Sequence, residues 1–98
     1  MTRLVLAPSA LRDIQRLADF LMESTPQAAL GTGEILMDGL AILARHPLIG
    51  RVVEEDFLEL VISRGRSGYL ALYRYDAEHD RAIFLAIRHQ RELPRQPS

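Results

Sequence analysis

The chain has 98 residues, 48% of them hydrophobic, a formal net charge of −1 and no cysteine. Residues 1–98 therefore read as one globular domain, without disulfides or the commonest zinc ligand sets. The near-neutral balance argues against general or sequence-specific nucleic-acid binding.

In chain order, the first element is a short β-rich run, Leu4, Val5 and Leu6, closed by Pro8. Ser9 is placed to cap a helix in which Leu11, Ile14, Leu17, Ala18 and Leu21 recur at helical spacing. That helix should end near Ser24, because Thr25 precedes Pro26 and residues before proline avoid the α region. Pro26 suits the first turn of a second helix, with Ile35, Leu36, Leu40 and Leu43 as its apolar stripe and His46-Pro47 as its stop. Gly31, Gly33 and Gly39 interrupt it, at about 1 kcal/mol each relative to alanine. Close packing against another element is the reading at Gly39, and local weakness at the Gly31-Thr32-Gly33 step.

After Pro47 the pattern turns from helical to alternating. Phe57 to Ser63 is a strand with Leu58, Leu60 and Ile62 on one face, and Arg64 to Gly68 is a turn. Tyr69 to Tyr75 is a second strand, with Leu70 and Leu72 on one face and Tyr69, Ala71, Tyr73 and Tyr75 on the other. Asp76 to Asp80 is a polar turn. Ala82 to Arg88 is a third strand, grouping Ile83, Leu85 and Ile87 against Phe84, Ala86 and Arg88. Residues 93–98 are proline-containing and poorly apolar and are expected to fray.

The order β-α-α-β-β-β predicts an α+β fold, an antiparallel sheet with a helical hairpin on one face. The first strand belongs at a sheet edge, next to a neighbour the sequence does not specify. The aliphatic sets are expected to meet the helices. The opposite face then carries Tyr69, Tyr73, Tyr75, Phe57, Phe84 and Arg88 beside the Arg64–Arg66 turn. Aromatic and arginine side chains together mark binding hot spots. The competing reading is a solvated face stabilised by aromatic cross-strand pairs; the lack of a further helix to cover it favours binding. All twelve basic residues are arginine. A GC-rich genome explains that choice but not its placing: Val61 to Tyr75 holds three arginines and no acid, and Arg81 onward holds four against Glu92 alone.

The chain resembles the RelE/ParE toxin family, and its ParE branch more than its RelE branch. The resemblance runs through Leu4-Val5-Leu6-Ala7-Pro8-Ser9-Ala10, Asp13-Ile14, His46-Pro47-Leu48-Ile49-Gly50-Arg51 and Glu59-Leu60-Val61-Ile62. It continues in Gly65-Arg66-Ser67-Gly68-Tyr69, Leu72-Tyr73-Arg74-Tyr75 and Ile83 to Glu92. It implies the toxin of a type II toxin–antitoxin (plasmid stabilisation) module. RelE-like members are ribosome-dependent mRNA endonucleases; ParE-like members poison DNA gyrase by stabilising its cleaved-DNA state and have no catalytic residues of their own. This chain departs from the nuclease pattern: Leu70 follows the Gly-Tyr where nuclease relatives carry arginine, Val61 and Ser63 stand where they carry lysines, and the C-terminal tail has no tyrosine. Such cleavage needs a base, an acid and charge stabilisation at the phosphate, so gyrase poisoning without catalysis is the primary reading. A minimal nuclease can still be drawn from Arg74, His89 and Arg91, and an inactive toxin that only binds its antitoxin is a third reading. His89 has a competing structural reading as a hydrogen-bonded residue at a strand end. His46 reads as a residue at a helix C-terminus, favoured by its dipole, and His79 lies in an acidic turn.

The resemblance also implies a ParD-like antitoxin, ribbon-helix-helix with a tail that wraps the toxin. Its expected contacts are Arg64, Arg66, Tyr69, Tyr73, Arg74, Tyr75, Arg88 and Arg91. No cofactor or metal site is expected, since the three histidines lack close ligand spacing. The opening apolar run is too short for a signal peptide, and no stretch approaches the roughly 20 apolar residues of a membrane span, so a cytoplasmic location is expected.

Overall fold

The computed structural model describes residues 1–24, 26–64 and 67–89, with side chains except at 24, 26, 28–30, 32, 33, 35, 63, 64 and 67. The order is β1 (Arg3–Leu6), α1 (Pro8–Ser24), α2 (Pro26–Leu40), a 3-10 turn (Ala41–Ala44), β2 (Arg51–Glu54), β3 (Phe57–Arg64), β4 (Ser67–Asp76) and β5 (Arg81–His89). The strands form one sheet in the order β1-β5-β4-β3-β2. The expected α+β arrangement holds: β3, β4 and β5 form an antiparallel meander, and β1 lies at an edge, parallel to β5. The opposite edge, β2, is an addition. Its four residues are all exposed and a bulge falls between Val52 and Glu54, so no alternation marks it in the sequence.

Helix α1 packs on α2, β1 and β5, and α2 rests on β3. Between helices and sheet lie Ala10 and Leu17 of α1, Leu36 and Leu40 of α2, Leu43 of the 3-10 turn, and the inward residues of the strands. At Gly39 the close-packing reading is right: a Cβ there would stand 2.5 Å from Ile62 Cγ2. Gly31 has nothing within 4 Å of an added Cβ.

The expected assignment of sheet faces is corrected. β3 points Leu58, Leu60 and Ile62 toward the helices as expected, but these pair with Tyr73, Ala71 and Tyr69. Paired residues share a face, so the tyrosines point inward and Leu70 and Leu72 outward. Both sides of β4 are apolar, and alternation sorts its residues into two sets without choosing the inner one. The aromatic set removes more area from water, about 150–250 Å² per ring. On β5, Leu72 pairs with Ala86 but Tyr73 with Phe84, leaving Leu85 as an extra residue. This bulge switches the parity: Phe84 and Ile87 both face inward, while Ile83 faces outward. Tyr69, Tyr73 and Phe84, expected on the open face, are fully buried, and Phe57 is half-buried.

A second correction concerns Ser9. Helix α1 begins at Pro8, and the Ala7 carbonyl accepts from the Ala10 and Leu11 amides. Ser9 does not cap this end. β1 stops at the Leu6–Phe84 pair, so the edge of β5 beyond it has no strand neighbour among the described residues, and α1 supplies the missing partners. Ser9 Oγ donates to the Leu85 carbonyl at 2.6 Å, the Ile87 amide donates to Asp13 at 2.8 Å, and Arg16 donates to the Ile87 carbonyl at 3.3 Å. Spacings of four and three put these side chains on one helix face.

Candidate functional site

No described element covers the sheet face turned away from the helices. The registers place Val61 beside Leu70, Leu70 beside Arg88, Leu72 beside Glu59 and Ala86, and Arg74 beside Ile83. Val5 pairs with Ile83 and Arg3 with Arg81 at the β1 edge. The centre is thus aliphatic, with Val61 57% exposed, and Arg74 and Arg88 stand exposed on it. Neither has an ion pair with any described residue. Two other guanidiniums are held: Arg81 Nε donates to Asp76 at 2.9 Å, and Arg51 to Glu59 at 2.9 Å. Aliphatic ground carrying uncommitted guanidiniums suits an amphipathic, anionic partner, because arginine makes planar bidentate contacts to carboxylate or phosphate.

Of the expected contact residues, Arg74 and Arg88 are brought together on this face. Tyr69 and Tyr73 lie in the core on the other side. Tyr75 is half-buried at the sheet end, where its hydroxyl donates to Asp80 at 2.8 Å. The side chains of Arg64, Arg66 and Arg91 lie outside the described residues. The aliphatic members Val5, Val61, Leu70, Leu72 and Ile83 were not singled out as site residues from sequence. A signal for them existed. Arg74 shares parity with Leu70 and Leu72, and an unpaired arginine is almost never buried.

His89 does not join Arg74. It ends β5 on the helix-covered face, 2% exposed, edge-on to Tyr69 with ring centroids 4.9 Å apart and 6.4 Å from Phe20.

The hairpin joining β4 to β5 is electrostatically tied. Asp76 accepts from Arg81 and meets His79 Nδ1 at 2.9 Å. Arg81 first, then His79, lower its pKa from 3.8 to about 2. Asp76, Glu78 and His79 bring ligand-type atoms within 4.8 Å of one another, but Arg81 already takes up the Asp76 charge. Asp80, at φ 50°, accepts from the Thr2 and Tyr75 hydroxyls. These bonds, that of Thr2 foremost, lower the Asp80 pKa, and the bond to Asp80 is the main cause that raises that of Tyr75. The buried Tyr73 hydroxyl donates to the Pro47 carbonyl at 2.8 Å and accepts from the Gly50 amide at 3.0 Å; burial raises its pKa.

Residues 4–94 match the family described as the ParE toxin of the type II toxin–antitoxin system, parDE. The chain belongs to the ParE toxin family. It is thus a toxin of a type II toxin–antitoxin system, within the RelE/ParE superfamily. Among relatives, it is 32% identical over 92 residues to the toxin RelE3 of Caulobacter vibrioides, covering 94% of this chain and 98% of that protein. It is 38% identical over 65 residues to the toxin RelE1 of the same organism, covering 66% of this chain and 70% of that one. Among solved structures, the toxin–antitoxin complex RelBE2 of Mycobacterium tuberculosis contains a chain matched at 24% identity and TM-score 0.54, covering 91% of this chain and 98% of that one. This last likeness is one of fold. No described helix of this toxin is long and apolar enough to cross a membrane.

Proposed function

We propose that this toxin arrests growth by binding its target through the open sheet face, with no chemistry of its own, and that DNA gyrase is the target. A ParD-like antitoxin would silence it by laying an acidic amphipathic segment on the same face. The observation that carries the non-catalytic reading is the separation of Arg74 from His89. The phosphate-holding cation and the base of a minimal nuclease stand on opposite faces of the sheet, and the histidine is 2% exposed. A general base must lie within hydrogen-bond reach of the proton it removes.

The test is purified gyrase with supercoiled plasmid, ATP and the toxin. Accumulation of cleaved DNA, suppressed by an Arg74→Ala/Arg88→Ala double variant, supports the reading; no cleaved DNA at toxin excess over gyrase removes it. A second reading is ribosome-dependent message cleavage, favoured by the similarity to proteins named RelE3 and RelE1. It predicts cut messages in primer extension from cells expressing the toxin.

A further inference from the structure

A second surface, of different chemistry, lies where the loop after the 3-10 turn meets β2 and β3. Ile42, His46, Pro47, Leu48 and Ile49 line an open cavity of about 530 Å³. Leu48 also borders a cavity of about 260 Å³, lined too by Val52, Phe57 and Tyr75, by the acids Glu55 and Asp56, and by Arg74. Leu48 lines both, and the two together are termed the groove. Its apolar members are unusually bare: Leu48 is 65% exposed, Ile49 50% and Val52 68%. Neighbouring apolar exposure of this kind marks an interaction surface rather than scattered leucines.

Two features say what would fill it. The first is rigidity. The Tyr73 hydroxyl holds both the Pro47 carbonyl and the Gly50 amide, and a Cβ on Gly50 would fall 2.7 Å from that hydroxyl. The loop is clamped to the core, so a ligand need not order it. The second is charge. Glu54, Glu55 and Asp56 are three consecutive exposed carboxylates at the β2–β3 turn, and none has an ion pair with any described residue. These acids are opposite in sign to the sheet-face arginines, of which Arg74 lines the same cavity.

We propose that the groove docks a basic, aliphatic extended segment of a partner protein, opposite in charge to the anionic partner argued for the open sheet face, which the groove adjoins at Arg74. Aliphatic side chains would fill the space around Leu48 and Val52 while arginines or lysines meet Glu55 and Asp56. The exposed edge of β2 offers main-chain groups for such a segment to run along.

Fluorescence anisotropy with a labelled Arg-Leu-Arg-Leu-Arg-Leu peptide tests this, with the glutamate counterpart as comparison. At physiological salt the arginine peptide should bind at least about tenfold more tightly, and the Glu55→Arg/Asp56→Arg double variant should weaken it by about tenfold. Tyr73→Phe, judged on variants with cooperative melting, should weaken it without changing the rim charge. Amide shifts in NMR should centre on Leu48, Val52 and Leu58. Equal binding of the two peptides, or affinity untouched by the charge reversal, overturns the proposal. So does concentration-dependent dimerisation abolished by Leu48→Asp, which would make a second copy the occupant.

Discussion

At the scale of single residues, Asp13 joins α1 to the sheet. Its carboxylate takes the Ile87 amide at 2.8 Å and Arg16 at 2.7 Å, and Arg16 turns back to the Ile87 carbonyl. Asp13→Ala would leave a part-buried amide without its acceptor and Arg16 without its anchor. The expected loss is about 1–3 kcal/mol in urea denaturation, the usual cost of an unsatisfied polar group; a loss below a few tenths would show that water replaces the carboxylate. Asp76 makes a prediction in pH. Its folded pKa of about 2 lies below the ordinary 3.8 because Arg81 and His79 favour the anion. A depressed carboxylate pKa contributes stability that is present above the unfolded value and lost as pH falls through the folded one. The hairpin contribution should therefore fade between about pH 4 and pH 2. Asp76→Asn should flatten the stability–pH slope in that window.

At the scale of elements, α2 contains two glycines of opposite consequence. Gly31 faces open space, so Gly31→Ala should raise stability by about 0.5–1 kcal/mol, the helix-propensity difference. Gly39→Ala drives a methyl against Ile62, which is 6% exposed and has little room to yield. About 1–3 kcal/mol should be lost. Thermal melts of the pair check both signs together. The elements also show how far pattern carries. The helices, the meander and the edge position of β1 follow from periodicity, proline placement and glycine-rich turns. The inner face of β4 does not, because Tyr69-Ala71-Tyr73 and Leu70-Leu72 are both apolar; only Arg74, in step with the leucines, breaks the tie. The Leu85 bulge is invisible to a strict period of two, which is why Ile83 and Phe84 exchange expected sides. β2 is too short and too exposed to carry a pattern, and Ser9 resembles a cap until the bare edge of β5 is seen.

At the scale of the molecule, the helical layer on one face leaves the other an aliphatic surface that no described element covers, with Arg74 and Arg88 upon it. The uncovered face was legible from the count of elements, and so was Arg88 upon it; Arg74 was expected as a contact, but its parity is that of leucines expected to meet the helices. Its aliphatic character was not, because the larger rings claim the interior. A net charge of −1 conceals this division: exposed cations on the sheet face, and a run of exposed acids on the β2–β3 turn. Such segregation lets one small domain engage partners of opposite sign. Substituting Leu72→Asp should disable the sheet face while leaving the core intact, since Leu72 points away from the helices. The expected result is at least about a tenfold loss of antitoxin affinity with little change in melting temperature, checked by calorimetry with the purified antitoxin.

If this toxin acts through the open sheet face, growth after induction without antitoxin will depend on the two arginines upon it. The wild type should arrest growth, and Arg74→Ala/Arg88→Ala, expressed to the same level and equally folded, should restore it. Arrest by the double variant as complete as that of the wild type would show that the toxin acts through another surface.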